Sequence, residues 1–234
     1  MPPVRATAPQ RGPGDPDVPL SRRLREATLD LHVQVERSVF MRALLRGTLP
    51  RIGHLLLMRN LHALYAALEA GLQRIADDVR LAPFAQPALR REAALAADLH
   101  AVHGPRWRDE LALTPAMADY VVHLQRLSQA GAQRLIAHAY VRYLGDLAGG
   151  QRLRAVVARA QALPPGQGLA FYDFGDAAEV AALARALRAA LDALGRDRPV
   201  DDIVDEARAA FCRHDAVFAE LADLVEAGLR ATER

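Results

Sequence analysis

The sequence has 234 residues, of which 51% are apolar, 5% aromatic and 25% charged, and its formal net charge at pH 7 is +2. A chain of this length and apolar content can build one large domain around a single core. The small net charge argues against bulk nucleic-acid binding, although all 30 basic residues are arginine. The single cysteine, Cys212, excludes a disulfide within the sequence and favours a reducing, cytoplasmic compartment.

Residues 1–19 are rich in proline and glycine and contain no apolar run. A segment of this composition cannot form a packed core, so we expect a disordered tail at residues 1–19 and one domain at residues 20–230. No stretch reaches the length of about 18 apolar residues that a membrane span needs, and no signal peptide or C-terminal anchor is recognisable. The sequence therefore predicts a cytoplasmic protein without a membrane anchor.

From Leu20 onward, apolar residues recur every three or four positions, which predicts helices, and the alternation typical of strands is nearly absent. Proline and glycine separate the periodic segments, and Ser21 is a candidate N-cap for the first one. The predicted helices cover about residues 21–37, 39–45, 50–76, 88–103, 115–131, 132–162, 177–194 and 200–229. Short connections between them predict an all-α fold, a single-domain helical bundle.

Three glycines and one acid interrupt the helical run at residues 140–151. A glycine in a helix interior costs about 1 kcal/mol relative to alanine, so Gly145, Gly149 and Gly150 together cost about 3 kcal/mol. At helical spacing they form a strip of bare backbone, where a flat ligand can touch the main chain and the helix can bend. A close crossing with another helix is the alternative explanation.

Polar side chains accompany the glycines. Arg142 lies four positions before Asp146, so the two can pair along the helix. Tyr140 and Tyr143 add hydroxyl groups that can join a hydrogen-bond network. A solvated Arg/Asp pair is the simpler interpretation.

A candidate metal ligand, His32, lies on the first predicted helix. Glu36 follows it by four positions, so its carboxylate can restrain one imidazole nitrogen while the other binds a metal. A lone histidine beside an apolar helix face is, however, more often packed or solvated. The other seven histidines show no zinc-type spacing, so we do not expect a multi-histidine metal site.

Two sequence motifs indicate a family. Tyr-Leu-Gly-Asp-Leu-Ala-Gly-Gly-Gln at residues 143–151 resembles the distal-helix signature of the haem oxygenases. The segment at residues 20–36 resembles their proximal helix, in which a histidine followed at four residues by glutamate is the axial iron ligand. Short matches continue in the same order at residues 104–107, 114–117, 168–171 and 206–211, so the resemblance covers roughly residues 20–225.

The resemblance implies two groups of site residues. The catalytic group on the distal helix comprises Arg142, Gly145, Asp146, Gly149 and Gly150. The haem-binding group comprises Arg25, His32, Glu36, Met41, Tyr140, Val141, Arg188, Phe211 and Phe218, with His32 as the iron ligand. Arg25, Tyr140 and Arg188 match positions that bind the haem propionates, whereas Met41, Phe211 and Phe218 fit either macrocycle packing or ordinary core.

Three positions depart from the family pattern. His62 occupies a position where the family often has a distal-pocket tyrosine, which would alter the distal water network. Leu29 replaces a usual basic residue on the proximal helix, and Ala184 lies beside Arg185 on the propionate helix. These two departures bear on how the haem is seated and on which ring carbon is cut.

The activity that the resemblance implies is oxidative cleavage of haem to biliverdin, carbon monoxide and ferrous iron. Haem b is both substrate and cofactor, dioxygen is the oxidant, and a ferredoxin or flavoprotein reductase is the external electron donor. Asp146 would anchor waters over the iron. We expect a monomer that binds neither nucleic acid nor membrane. The alternative is a non-catalytic haem carrier or sensor, which would need His32 and Arg188 but not Asp146.

Overall fold

The computed structural model describes residues 18–130, 133–164, 166–197 and 199–232, and all regular structure within these ranges is helical. The α-helices in chain order are α1 (Leu20–Glu36), α2 (Val39–Arg46), α3 (Arg51–Gln73), α4 (Glu92–His103), α5 (Trp107–Glu110), α6 (Pro115–Gln129), α7 (Leu135–Ala139), α8 (Gly145–Ala160), α9 (Ala177–Asp197) and α10 (Asp201–Thr232). A π-helical turn, Tyr140–Leu144, joins α7 to α8. The predicted all-α fold is confirmed.

Local sequence signals explain several helix ends. Gly47 ends α2 in the left-handed conformation, with φ of 69°, which glycine adopts without strain. Thr114 caps α6, because its hydroxyl accepts a 3.1 Å hydrogen bond from the Met117 amide. The prediction of Ser21 as N-cap is wrong. The helix begins one residue earlier, after Pro19, and the Ser21 amide instead donates to Asp192 at 2.9 Å.

The helix predicted from residue 88 begins only at Glu92. Residues before it form short 3₁₀ turns, and the buried Arg91 side chain occupies carbonyls that a helix would need. Its guanidinium donates to the Ala88 carbonyl at 3.0 Å and to the Asp173 carbonyl at 2.5 Å. A long-range contact also fixes this helix start, because Glu69 Oε1 accepts hydrogen bonds from the backbone amides of Arg91 at 2.5 Å and Glu92 at 3.2 Å. Periodicity alone does not reveal it.

The core lies around α3 and α10. The former packs on α4 and α6, and the latter packs on α1, α6 and α7. Their facing side chains are mainly leucine, phenylalanine and alanine, buried in one continuous cluster. This arrangement holds α1 and the segment from the π-turn into α8 on either side of a gap, which forms the candidate site.

Two predictions concern parts of the chain that are only partly described. Residues 1–17 of the predicted tail and the predicted helix junction at residues 131–132 lie outside the described residues. Across the described ranges, none of the helices combines the length and the apolar character needed to cross a lipid bilayer.

Candidate functional site

A cavity of about 340 Å³ lies between α1 and the segment that runs from the π-turn into α8. Its lining residues are Ser21, Arg25, Thr28, Leu29, His32, Tyr140, Val141, Leu144, Gly145, Ala148, Arg188 and Phe211. A larger groove of about 460 Å³ between α3 and α6 is lined mainly by alanine and glutamine and offers no histidine, cysteine or carboxylate. The chemistry of the lining therefore favours the cavity beside α1.

His32 contributes an imidazole to the lining of this cavity. Its Nδ1 lies 3.8 Å from Glu36 Oε2, so the local pairing expected from the sequence is confirmed. The imidazole also makes an edge contact with Phe211, with ring centroids 5.9 Å apart. Among the described residues, no hydrogen bond occupies Nε2, and the 3.8 Å separation of Nδ1 from Glu36 is longer than a hydrogen bond.

Bare backbone faces His32 across the cavity. A Cβ atom placed on Gly145 or Gly149 would meet no other atom within 4 Å, whereas one on Gly150 would lie 3.5 Å from the Tyr172 carbonyl oxygen. A close helix crossing therefore does not account for Gly145 and Gly149. A flat ligand against the main chain does account for Gly145, which lines the cavity.

The departure from α-helical geometry precedes the glycines. It occupies the π-turn, Tyr140–Leu144, and regular α-helix then resumes at Gly145 and continues through all three glycines. Single π-turns within α-helices are frequently found at functional sites. The sequence thus predicted the segment that is irregular but placed the irregularity a few residues too late.

Two guanidinium groups and one phenol reach the same cavity. Arg25 and Arg188 are exposed, and neither forms an ion pair with any other described residue. Burial raises the pKa of Tyr140, so its hydroxyl stays a neutral donor. Guanidinium groups bind carboxylates in a two-pronged arrangement, so this part of the cavity suits a ligand that carries carboxylate groups.

Asp146 follows Gly145 in α8 but does not line the cavity, and a largely buried polar network holds its side chain. Arg142 Nη2 donates to Asp146 Oδ1 at 2.7 Å, which confirms the predicted pairing. The hydroxyl of Tyr65, a fully buried residue of α3, donates to Asp146 Oδ2 and accepts a 3.3 Å bond from Arg142 Nε. Burial raises the pKa of Asp146, while the charge of Arg142 and the Tyr65 hydrogen bond oppose that shift.

Sequence reasoning missed Tyr65 and selected His62 instead. His62 does not reach this network: its Nε2 lies 2.9 Å from Glu92 Oε1 and its ring packs edge-on against Trp107. His62 and Tyr65 are three positions apart on α3, which separates them by about 4.5 Å along the helix axis. This distance is enough to give the two side chains different neighbours. The available signal was the tyrosine within the apolar run at residues 63–68, since a buried hydroxyl needs a hydrogen-bond partner.

The remaining predicted residues divide between the cavity and the core. Val141, Phe211 and Leu29 line the cavity, and Leu29 is exposed there. Met41 is half-buried against the core, and Phe218 stacks on Phe40 with ring centroids 5.7 Å apart. Neither Met41 nor Phe218 lines the cavity. Ala184 also packs against the core, and Arg185 is exposed.

The fold and site together define an all-α protein with a cleft suited to a flat, carboxylate-bearing, metal-containing ligand.

Comparison with known proteins identifies the family. The family model described as "Heme oxygenase" matches residues 18–220. Heme oxygenase 1 from Homo sapiens is 38% identical over 209 residues, covering 88% of this chain and 73% of that protein. Heme oxygenase 1 from Nostoc sp. is 35% identical over 203 residues, covering 86% and 85%.

Solved structures agree. The crystal structure of heme oxygenase-2 from Synechocystis sp. in complex with heme and NO has a TM-score of 0.84 and 34% identity, covering 90% of this chain and 88% of that chain. This chain belongs to the haem oxygenase family. The predictions of the family and of an oxidoreductase of this type are confirmed.

Proposed function

We propose that this chain binds haem in the cavity between α1 and α8 and opens its ring to biliverdin, carbon monoxide and ferrous iron. One observation carries the proposal: an imidazole, the bare backbone of Gly145 and two guanidinium groups meet at a single cavity. Haem has a metal, a flat macrocycle and two carboxylates, so each of its parts has a matching group. The heme complex of the Synechocystis relative supports the choice of ligand.

His32 would hold the iron through Nε2, with Glu36 orienting the ring through Nδ1. A neutral nitrogen ligand suits this chemistry, because a thiolate would push electron density toward O–O cleavage. The ring contact of Phe211 limits rotation of the imidazole. We assign haem b from the family resemblance, and Cys212, the only cysteine of the chain, rules out the Cys-x-x-Cys-His attachment of a c-type haem.

Arg25, Arg188 and Tyr140 would bind the haem propionates from the cavity rim. Val141 and Phe211 would pack against the macrocycle, and Met41 and Phe218 would support it from the core side. The exposed Leu29 adds apolar contact where a basic residue would have added a charge.

When bound, haem supplies both the iron at which dioxygen is activated and the ring that is cut. Asp146 would order water above the distal face, with Arg142 and Tyr65 fixing the position of its two oxygens. Gly145 would let the helix backbone approach the haem ring closely. Because little space would remain above the ring, the reaction would be directed to the ring edge. Ring opening consumes electrons that haem does not hold, so we infer an external donor, a ferredoxin or flavoprotein reductase, with dioxygen as the oxidant.

The test is addition of haemin and a reductant to the purified chain in air, followed by absorption spectroscopy. We expect the Soret band to give way to biliverdin absorption. A haem spectrum that persists under these conditions would instead support a carrier or sensor.

The assignment of His32 has its own test. His32→Ala should lose the axial-imidazole spectral signature of the ferric complex while its circular dichroism stays unchanged, because the His32 side chain is about half exposed, at 51%. His103→Ala is a matched control, since His103 pairs with Glu110 on the surface at 2.9 Å. An unchanged ferric spectrum in His32→Ala would remove this residue from the site.

A further inference from the structure

Three potential metal ligands from three helices meet outside the haem cleft. They are His123 of α6, His138 of α7 and Glu206 of α10, and their ligand atoms all lie within 4.8 Å of one another. Glu206 Oε1 is 2.6 Å from His123 Nε2 and 3.0 Å from His138 Nε2. None of the three lines the cavity beside α1.

We propose that His123, His138 and Glu206 bind one divalent transition-metal ion, of the class of zinc(II) or iron(II). Two imidazoles and one carboxylate form a ligand set that both ions accept, with at least one position left open for water. Donors around a tetrahedral ion with bonds of about 2.0–2.1 Å lie roughly 3.3 Å apart. The two short contacts therefore need to open by less than about 1 Å to admit the ion.

The hydrogen bonds of the cluster can be exchanged for an ion. In the ion-free chain, Nε2–H of His123 and Nε2–H of His138 donate to Glu206 Oε1. A cation would take the place of these two protons, and each neutral imidazole would then carry its proton on Nδ1.

A hydrogen bond at the second ring nitrogen orients His138. The Tyr120 hydroxyl lies 2.8 Å from His138 Nδ1, and it can accept a proton there once an ion has replaced the Nε2–H···Glu206 hydrogen bond. Tyr120 is itself fully buried, so this arrangement is rigid. Ligand histidines in metal sites are held in the same way by a hydrogen bond at the second nitrogen.

The outer edge of the cluster gives an ion access from solvent, and Arg134 lies there beside Glu206. The His123 side chain is 23% exposed, so an ion can enter from solvent beside it. Arg134 Nη1 lies 3.7 Å from Glu206 Oε2, and its own side chain is 48% exposed. Arg134 can swing into water when an ion arrives, because this long, weak contact costs little to break.

The position of the cluster gives the ion a role. His138 belongs to α7, which leads directly into the π-turn and then to Asp146. An ion bound here would tie α6, α7 and α10 together at the base of the segment that carries the distal network. The site is independent of the haem proposal, since no ligand is shared.

The experiment is titration of the untagged, haem-free chain with cobalt(II) and zinc(II), followed by visible absorption and calorimetry. We expect one ion per chain and ligand-field bands of cobalt(II) bound by nitrogen and oxygen. His123→Ala should weaken binding by about tenfold or more, in line with the loss of one of three ligands. His103→Ala should bind as the parent does, which separates this site from the surface histidines.

Stability gives a second readout. Zinc(II) at about a hundred times its dissociation constant should raise the folded-to-unfolded ratio of the parent about a hundredfold. Glu206→Gln keeps a hydrogen-bond acceptor but loses the charged ligand, so it should stay folded and lose most of this effect. Absence of stoichiometric binding to the parent, or equal binding by the parent and His123→Ala, would show a hydrogen-bonded cluster that takes no ion and would overturn the proposal.

Discussion

Tyr65→Phe removes a single buried hydroxyl from the network that holds Asp146. The hydroxyl donates to Asp146 Oδ2 and accepts from Arg142 Nε at 3.3 Å. Hydrogen bonds to charged groups contribute about 1.5–3 kcal/mol, and the phenyl ring preserves the packing of a residue that is 0% exposed. We expect the free energy of unfolding to fall by about 2 kcal/mol, which in a chain of this size lowers Tm by about 4–8 °C.

Denaturant unfolding followed by circular dichroism measures this change, and Tyr143→Phe is the matched control. Tyr143 is equally buried and stacks on Tyr65 with ring centroids 5.9 Å apart. Its hydroxyl makes no hydrogen bond to any other described residue, so its removal should cost much less. Combining Tyr65→Phe with Asp146→Asn should show losses that are not additive, because the two changes remove one shared interaction.

The same variant tests the role of the network in turnover. Tyr65 does not line the cavity, so Tyr65→Phe should bind haem as the parent does, while biliverdin formation slows because Asp146 is held less firmly. Equal destabilisation by Tyr65→Phe and Tyr143→Phe, or additive losses in the double variant, would refute the reasoning.

Three further predictions follow from the site and the core. Asp146→Ala should bind haem normally but form biliverdin about a hundredfold more slowly. Asp146→Asn should fall between Asp146→Ala and the parent, since the amide keeps part of the network. Single-turnover spectroscopy checks both rates, and normal turnover by Asp146→Ala would count against the proposed role of Asp146. Gly145→Ala and Gly149→Ala should each raise the free energy of unfolding by about 1 kcal/mol, because neither Cβ meets another atom. Only Gly145→Ala should also weaken haem binding in a haemin titration, since Gly145 lines the cavity. Burial lowers the pKa of His54 to about 4, so below pH 6.5 the folded chain binds fewer protons than the unfolded chain. The contribution of His54 should therefore be constant above pH 6.5 and destabilise the chain by about 3 kcal/mol at pH 4, and His54→Leu should reduce the loss of stability in this range by that amount in denaturant unfolding.

The sequence by itself determined the features that depend on local spacing. Helical periodicity and proline and glycine positions located the main helices, because each helix is stabilised by contacts three and four residues apart. The same rule paired His32 with Glu36 and Arg142 with Asp146, at four-residue separations that fix two side chains on one helix face. The family followed from two short motifs on separate helices.

Only the tertiary structure decided which distant residues meet. Tyr65 and Asp146 are 81 residues apart, and His138 and Glu206 are 68 apart, so their contacts depend on how α3, α7, α8 and α10 pack. Similarly, an apolar side chain has the same sequence pattern whether it packs in the core or lines a cavity. Phe218 and Phe211 lie on the same helix seven residues apart, yet one stacks on Phe40 and the other reaches His32, because the neighbouring helices present different partners to each turn.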